Sequence, residues 1–193
     1  MTDPIVTVLI NNDLSSLTSG RGKGRQELTT IPDVTKRLLE IARDDACLAD
    51  VRFRAFEAYF TLAGIPTEAE AMRAATAGFA DQVAEVYVAA LAGASYPNRW
   101  GLPYSVASSP TSRRLSALGA PAEAALIPLL SDQRELAYEG SEESTIASRD
   151  HLRVKDLAAA LVAAIRGVPF VEDPAPAARD AAIARLVDDR KSP

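Results

Sequence analysis

Histidine and cysteine, which serve most often as bases and nucleophiles near neutral pH, each occur once in this chain, at His151 and Cys47. A cysteine nucleophile needs a base within hydrogen-bond reach and a further group that orients this base. The two residues lie far apart along the sequence, and a lone thiol in a turn is ordinarily a small buried side chain. Together they also fall short of the roughly four ligands of a zinc site. The sequence contains no calcium-loop pattern and no Gly-x-Ser-x-Gly motif. We therefore expect no catalytic residue, no metal site and no cofactor.

Alternating glycines and cations between residues 20 and 25 form a candidate anion site. Glycines free backbone N–H groups to surround an anion, and Arg21, Lys23 and Arg25 could neutralise a phosphate. The spacing does not match the Gly-x-x-x-x-Gly-Lys-[Ser/Thr] pattern of a P-loop. The sequence therefore favours a mobile, solvated loop between helices over an anion site.

The segment from 94 to 109 is a first candidate for partner binding. It shows no helical periodicity, and long segments of this kind in compact domains are often functional. It contains Tyr96, Arg99, Trp100 and Tyr104, which are residue types enriched at binding hot spots. Alternatively, these aromatic side chains fold back and fill the interior where the helices are irregular. The sequence leaves both interpretations open.

The polar, acidic segment from 133 to 150 is a second candidate. It contains Tyr138, Glu139, Glu142 and Glu143. Two carboxylates can perform acid–base chemistry if burial separates their pKa values, but clustered glutamates are far more often solvated surface groups. We interpret the segment as a recognition loop for a basic partner.

The charge balance bears on the class of partner. The formal net charge is −5 and the isoelectric point is near 5.0. Nucleic-acid binding draws much of its affinity from Lys and Arg that displace counterions, so an acidic chain disfavours nucleic acid. No run approaches the roughly 20 apolar residues that span a bilayer, and a single cysteine suits a reducing compartment. We therefore expect a cytoplasmic protein that binds a protein partner and no membrane. The sequence does not determine the oligomeric state.

Composition indicates the fold class. Hydrophobic residues make up 48% of the 193 residues, with many alanines among them, and aromatic residues only 6%. Alanine is the best helix former and lets helices approach closely. The length suits one domain. We therefore predict a single all-α domain over residues 1–193.

The first helix is predicted from Asp3-Pro4, an N-cap followed by a proline suited to the first turn. Ile5, Leu9, Asp13 and Leu17 then follow at four-residue steps, and three of these four residues are apolar. The run 5–10 is rich in β-branched residues and could instead form a strand. We prefer a helix because no second strand-like run exists to pair with it.

Apolar periodicity, glycines and prolines predict the later helices. They cover 34–41, 51–62, 67 onwards, 79–90, two short helices after Ser109-Pro110 and after Pro121, 154–165, and the segment after Asp173-Pro174. Thr67 and Glu70 have the spacing of a capping box at the start of the fourth predicted helix of the chain. Gly64 has the position of a left-handed C-terminal cap.

An internal repeat relates the two strongest helices at an offset of 103 residues. Val51-Arg52 then aligns with Val154-Lys155. The endings Gly64-Ile65-Pro66 and Gly167-Val168-Pro169 align as well. Since agreement between two alanine-rich helices arises easily by chance, the shared Gly-[Ile/Val]-Pro ending is the main evidence.

Each repeated helix follows a leucine-rich segment and an aspartate, Asp45 or Asp132. This order, completed by Val-Arg-x-x-Ala or Val-Lys-x-x-Ala, resembles the HEAT-repeat family. The resemblance implies antiparallel helix pairs of ~40–47 residues stacked into an α-α superhelix. The two best units cover 32–64 and 121–167, and two long inter-helix loops at 94–109 and 133–150 interrupt the degenerate repeats. The family pattern gives Asp45, Arg52, Asp132 and Lys155 structural roles, although Lys155 replaces the usual arginine.

The resemblance implies three classes of function. The first is a non-enzymatic interaction or scaffold module that binds a protein partner through its concave face and the 94–109 and 133–150 loops. The second is a HEAT-like DNA glycosylase, with Trp100, Tyr96 and Glu142 near a damaged base, which the net charge of −5 disfavours. The third is a HEAT-like bilin lyase, which rests on fold analogy alone. We favour the interaction module.

Overall fold

A computed structural model of the chain describes residues 3–93, 97–102, 105–138, 140–170 and 173–188. Every regular element within these ranges is a helix, and the only β-type pairing among them is an isolated antiparallel bridge between Glu135 and Arg153. The all-α prediction is therefore confirmed. The chain divides into two compact units, residues 1–66 and 67–193.

Five helices build the first unit: α1 (Pro4–Asn11), α2 (Leu14–Thr18), α3 (Lys23–Thr29), α4 (Val34–Arg43) and α5 (Ala49–Leu62). Helix α5 packs against α4, α2 and α1. Its phenylalanines Phe53, Phe56 and Phe60 are fully buried. This aromatic face of α5 is therefore the centre of the first unit's core.

The single N-terminal helix predicted as far as Leu17 is wrong in its second half. Pro4 and the Asp3 cap are as predicted, with the Ile5 N–H 2.7 Å from the Asp3 carboxylate. The helix ends at Asn11, and Asp13 caps the separate helix α2 through the Ser16 N–H at 2.6 Å. An aspartate that can satisfy free helix N–H groups favours a new start over continuation.

Arg52 fastens the connection between α4 and α5. Its guanidinium lies 2.8 Å from the Asp45 carboxylate and donates to the Ala42 carbonyl at 3.1 Å. Helices α4 and α5 thus form a packed pair whose turn is held by the aspartate and arginine that the sequence singled out.

Seven α-helices and three short 3₁₀ helices are described in the second unit. The α-helices are α6 (Ala69–Ala75), α7 (Ala80–Ala92), α8 (Pro110–Ala117), α9 (Ala120–Leu126), α10 (Ser141–Asp150), α11 (Val154–Arg166) and α12 (Pro176–Asp188). The 3₁₀ helices are Pro97–Trp100, Val106–Ser108 and Ile127–Ser131. Helix α11 contacts α8, α9, α12 and the 127–131 turn, and every residue from Val154 to Ala163 is buried. It is the central helix of this unit.

Three predictions for the second unit are wrong. The segment 133–150 is not one long loop, because α10 occupies its second half. Helix α6 starts at Ala69 after Glu68 without a side-chain cap, so Thr67 and Glu70 form no capping box. The last helix begins at Pro176, and Asp173 instead accepts the Ala175 N–H at 2.7 Å in the preceding turn.

The two Gly-[Ile/Val]-Pro endings adopt the same cap. The Ile65 N–H donates to the Phe60 carbonyl at 2.9 Å, and the Val168 N–H donates to the Ala163 carbonyl at 3.0 Å. Gly64 and Gly167 are both left-handed, with φ of +64° and +66°. The offset of 103 residues between the helices is preserved in these hydrogen bonds.

The second aspartate of the repeat differs from the first in its contacts. Asp132 forms an ion pair with Arg134, whereas Lys155 Nζ lies 2.8 Å from Asp180 on α12. Only the backbones of Asp132 and Lys155 are joined, by an N–H···O bond of 3.0 Å. The lysine is therefore structural, but it fastens α12 rather than the preceding turn.

None of the helices formed by the described residues combines the length and apolar character needed to cross a membrane.

Candidate functional site

Trp100 lies in the interior of the second unit. Its relative exposure is 0%, and its ring meets Tyr87 of α7 edge-on, with the ring centroids 6.2 Å apart. Its carbonyl accepts a hydrogen bond of 2.6 Å from the Ser112 hydroxyl at the start of α8. For Trp100, this geometry agrees with the interpretation in which aromatic side chains fill an irregular part of the core.

Hydrogen bonds and one glycine shape the described parts of the segment from 97 to 109, namely residues 97–102 and 105–109. Gly101 has φ +92°, and a Cβ atom there would lie 2.1 Å from the Ser105 carbonyl oxygen. The Ser105 N–H donates to the Gly101 carbonyl at 2.8 Å, and the Ser109 hydroxyl donates to the Arg99 carbonyl. The backbone at Arg99 is therefore tied to the N-terminus of α8.

An open groove of about 230 Å³ lies beside this segment. Its lining comes from the 98–110 segment and from the first turn of α10, namely Asn98, Arg99, Gly101, Leu102, Ser108, Ser109, Pro110 and Glu143. The two segments that the sequence nominated separately thus meet here. They bring Arg99 and Glu143, two of the predicted binding residues, to one surface.

The other predicted binding residues occupy different surroundings. Glu142 is exposed in the first turn of α10. Tyr138 is buried, and its hydroxyl has no hydrogen-bond partner within the described part of the chain. Burial raises the pKa of this hydroxyl, and the nearby Asp156 carboxylate raises it further. Tyr96, Tyr104 and Glu139 lie outside the described residues.

A buried ionic cluster around Asp156 lies at the junction of α10, α11 and α12. Arg153 donates to both Asp156 oxygens, at 2.9 and 3.0 Å, and its backbone N–H donates to Oδ2 at 2.9 Å. Arg153 also reaches Asp180 at 2.8 Å. Hydrogen bonds from Lys155 and then Arg153 lower the pKa of Asp180. The cluster therefore joins the start of α11 to α12.

Arg179, 1% exposed, is the most deeply buried of the three cations of this cluster, the others being Arg153 and Lys155. Its two terminal nitrogens donate to the carbonyls of Asp173, Pro174, Asp150 and His151 at 2.6 to 3.1 Å. Its Nε lies 3.2 Å from Asp156 Oδ2, close enough for an ion pair but without the alignment of a hydrogen bond. Arg179 thus provides hydrogen-bond donors both for the carbonyls at the end of α10 and for those in the segment before α12.

A small charged cavity of about 40 Å³ adjoins this cluster. Its polar lining consists of Asp150, Asp156, Asp173 and Arg179, and its apolar lining of Leu102, Leu152, Ala160 and Phe170. Leu102 lines both the cavity and the groove. Sequence reasoning missed the cavity, because its charged residues come from three separate elements and form no motif.

The predicted anion site has a structural explanation for its glycines. A Cβ atom on Gly22 would lie 2.0 Å from the Ser16 carbonyl oxygen, and the Gly24 N–H already donates to the Ser16 hydroxyl at 2.8 Å. The solvated loop is wrong in part, since α3 begins at Lys23. Arg21 and Lys23 are exposed and Arg25 is partly exposed. These glycines therefore allow a close approach between α2 and α3.

Cys47 and His151 each have carboxylate neighbours. The Cys47 thiol lies 3.7 Å from Asp44 in the first unit, and burial together with this carboxylate raises the pKa of the thiol. His151, in the second unit, lies 3.2 Å from Glu135, and both side chains are exposed. Among the described residues, no three His, Cys, Asp or Glu side chains are grouped so as to hold a metal ion.

Comparison of the chain with models of protein families, with curated proteins and with solved structures finds no match.

Proposed function

We propose that this protein is a non-enzymatic interaction module that binds a basic segment of a protein partner in the groove between the 98–110 segment and α10. The observation that supports the proposal is the meeting of Arg99 and Glu143 in this groove. Small-molecule and peptide sites are typically concave and combine apolar walls with a few polar groups. This groove is more polar than such sites, since Leu102 and Pro110 supply the apolar side chains of its lining, and it therefore suits a charged segment better than an apolar one.

The chemistry of the groove suits an extended polypeptide. An arginine side chain can donate to backbone carbonyls or carboxylates in a fixed geometry. The backbone of Arg99 is held near the start of α8 by the hydrogen bond from the Ser109 hydroxyl to the Arg99 carbonyl. Glu143 supplies a negative charge on the opposite side, and Glu142 adds a second one in the same helical turn. A segment carrying lysine or arginine would complement these carboxylates.

We further propose that α4–α5 and α9–α11 are degenerate HEAT-like repeat units. Supporting this are the packed α4–α5 pair with its Asp45–Arg52 bridge and the packing of α11 on α9 and the 127–131 turn. The identical caps at Gly64 and Gly167 add to this support. The module would then belong to the helical-repeat scaffolds that commonly bind other proteins.

The test is quantitative affinity purification from the native host after nuclease treatment. Arg99→Ala and Glu143→Gln each alter one lining residue of the groove. Arg73→Ala on α6 and Glu85→Gln on α7 are matched controls, since both residues are exposed in the same unit and line no part of the groove.

We expect a protein partner that the wild type and both controls recover and that both groove variants lose. Each variant should unfold at the temperature of the wild type. Recovery of the same partners in equal amounts by all four variants would refute the groove as the binding site.

A further inference from the structure

We propose that the small cavity lined by Arg179 and Asp173 binds a primary carboxamide, the group found in asparagine and glutamine side chains and in small free amides. The carboxamide oxygen accepts a hydrogen bond from Arg179 Nε, and its NH₂ group donates to Asp173. The cavity shares only Leu102 with the lining of the groove. The inference therefore goes beyond the proposed function and does not depend on it.

Arg179 supplies a buried donor that needs an acceptor. The residue is 1% exposed, and its two terminal nitrogens donate to four backbone carbonyls. Its Nε makes no hydrogen bond with the residues that the structure describes, although Asp156 Oδ2 lies 3.2 Å away. Arg179 and Asp156 both line the cavity. Because a buried N–H group without an acceptor is costly, a ligand that brings an oxygen to this Nε is stabilised by the new hydrogen bond.

Asp173 supplies the acceptor for the other end of the ligand. Its Oδ1 accepts the Ala175 N–H at 2.7 Å. An ionised carboxylate has about four lone-pair positions, so Asp173 can accept further hydrogen bonds. Asp150 is less suitable, because Arg149 already donates to both of its oxygens. A ligand NH₂ group is therefore best placed against Asp173.

The charges at this junction balance, which favours a neutral ligand over an ion. Ion pairs join four cations to three aspartates, and Asp173 adds a fourth carboxylate. The cations are Arg149, Arg153, Lys155 and Arg179, and the paired aspartates are Asp150, Asp156 and Asp180. An ion that entered the cavity would lose its hydration without meeting an opposite net charge.

The size and the apolar lining of the cavity also suit a carboxamide. One water occupies about 10–15 Å³ of such a cavity, so the 40 Å³ available accommodate about three water-sized atoms. The carbon, oxygen and nitrogen of a carboxamide have this size. Leu102, Leu152, Ala160 and Phe170 provide apolar contacts for the carbon that carries the group.

The test compares four small molecules of nearly the same shape on the full-length protein. Acetamide has one acceptor oxygen and an NH₂ donor, acetone has the acceptor alone, acetate is an anion and acetamidinium is a cation without an acceptor. Binding is followed by two-dimensional ¹⁵N–¹H NMR of the backbone amides and of the Arg179 Nε–H group. The Nε–H resonance reports directly on the proposed hydrogen bond.

We expect saturable shifts of the Arg179 Nε–H and of the amides around Leu152 and Ala160 with acetamide. Acetone should bind about tenfold more weakly, because it lacks the hydrogen bond to Asp173. Acetate and acetamidinium should cause no saturable shift at the same concentration. No shift with acetamide would mean that the cavity takes up water only, and this result would overturn the proposal. Equal binding of acetamide and acetamidinium would overturn it as well.

Two variants of the cavity test the assignment to this site. Asp173→Asn replaces one acceptor oxygen by an NH₂ group, while its remaining oxygen can still accept the Ala175 N–H. It should bind acetamide about tenfold more weakly, whereas Asp81→Asn, at an exposed position of α7, should bind it normally.

Ala160→Val fills part of the cavity and should abolish acetamide binding. Ala164→Val, at an exposed position of the same helix, is its matched control. Unchanged binding by both Asp173→Asn and Ala160→Val would overturn the assignment.

A peptide distinguishes the two sources of the carboxamide. Acetyl-Gly-Gln-Gly N-methylamide carries the group on a side chain only, and the same peptide with glutamate is its control. Tighter binding of the glutamine peptide than of acetamide would identify the ligand as a side chain of another polypeptide. Binding of acetamide alone would identify a small free amide. Both results support the carboxamide site, and equal shifts with the glutamate peptide would contradict it.

Discussion

Among single residues, Arg179 joins two segments of the second unit through hydrogen bonds to four backbone carbonyls. Four carbonyls from two segments depend on its terminal nitrogens. Two of them, at Asp150 and His151, terminate α10, and the other two, at Asp173 and Pro174, precede α12. Buried carbonyls without a donor are costly, so the guanidinium stabilises the junction between the end of α10 and the segment before α12.

Replacing Arg179 with methionine should destabilise the second unit strongly. The change removes the donors of four carbonyls and leaves Asp156 with one fewer countercharge, and breaking such a buried pair costs about 3–5 kcal/mol. Urea unfolding followed by circular dichroism measures the loss. Arg185→Met, an exposed position on the same helix, should stay close to the wild type. An unchanged midpoint for Arg179→Met would show that water replaces the guanidinium without cost.

Trp100 allows the packing role to be separated from the binding role. Trp100→Ala should reduce the free energy of unfolding by about 3–5 kcal/mol, as expected for truncation of a fully buried aromatic side chain. Arg99→Ala, one residue earlier and partly exposed, should cost less than about 1 kcal/mol. Thermal unfolding of both variants compares them directly. Near-wild-type stability of Trp100→Ala would contradict the packing role.

For single residues, the sequence could identify candidate binding residues, but it could not predict whether their side chains face the core or the solvent. Trp100 and Arg99 are adjacent and both belong to hot-spot residue types, yet one faces the core and the other lines the groove. The difference depends on the hydrogen bonds from Ser109 and Ser112, which pair residues about ten positions apart. No local pattern reports such contacts. The contact between Asp45 and Arg52 was easier to predict, because the resemblance to the HEAT-repeat pattern gives both residues a structural role at the turn.

Among the structural elements, helix ends with glycine or proline signals were predictable. Gly64 is the left-handed cap that the sequence indicated, and Gly167 in the aligned ending has the same conformation. Ser109-Pro110 starts α8, where the Ser112 N–H donates to the Ser109 hydroxyl at 3.2 Å. Prediction failed where apolar periodicity was weak. Helix α10 is polar, with Ala147 as its buried hydrophobic residue, so it carries no apolar stripe that would distinguish it from a loop. The groove therefore could not be assembled from sequence, since α10 supplies one side of it.

Two glycines that differ in their surroundings should differ in their tolerance of alanine. A Cβ atom at Gly167 meets nothing within 4 Å, so Gly167→Ala should cost only the left-handed backbone, about 1–2 kcal/mol. At Gly101 the Cβ atom would lie 2.1 Å from the Ser105 carbonyl oxygen, and the cost should be larger. Thermal unfolding of the two variants ranks them. The reverse order would mean that the 97–109 segment rearranges easily, and it would remove support for a groove whose shape is fixed.

For the whole molecule, ion pairs determine the response to acid. Hydrogen bonds from Arg134, Arg149 and Lys155 are the first causes that lower the pKa values of Asp132, Asp150 and Asp180 below the ordinary 3.8. A carboxylate with a lowered pKa in the folded state stabilises the protein above its unfolded pKa, and this contribution is lost as the pH falls through the folded value.

We therefore expect the free energy of unfolding to decrease as the pH falls below about 4, where these three aspartates become protonated. Asp180→Asn should show a smaller decrease than the wild type, because one of the titrating groups is gone. Asp180→Glu, which keeps a carboxylate near Lys155 and Arg153, should retain more of it. Urea unfolding at a series of pH values gives the slopes. A dependence that is identical in the asparagine variant and the wild type would exclude Asp180 as a contributor.

The division of the chain at Pro66 leads to a prediction about autonomy. The sequence suggested one domain over 1–193, but the first unit has a core of its own around Phe53, Phe56 and Phe60, and the second has one around α11. A segment with its own core can fold alone. Residues 67–193 expressed separately should be helical and unfold cooperatively. Residues 1–66 should also fold, with only a few kcal/mol of stability, because small domains bury less of their surface. Circular dichroism and urea unfolding of both fragments provide the measurement.

If either fragment is unfolded while the full chain unfolds cooperatively, the folding of each unit depends on the other. The single domain that the sequence predicts is then the better description.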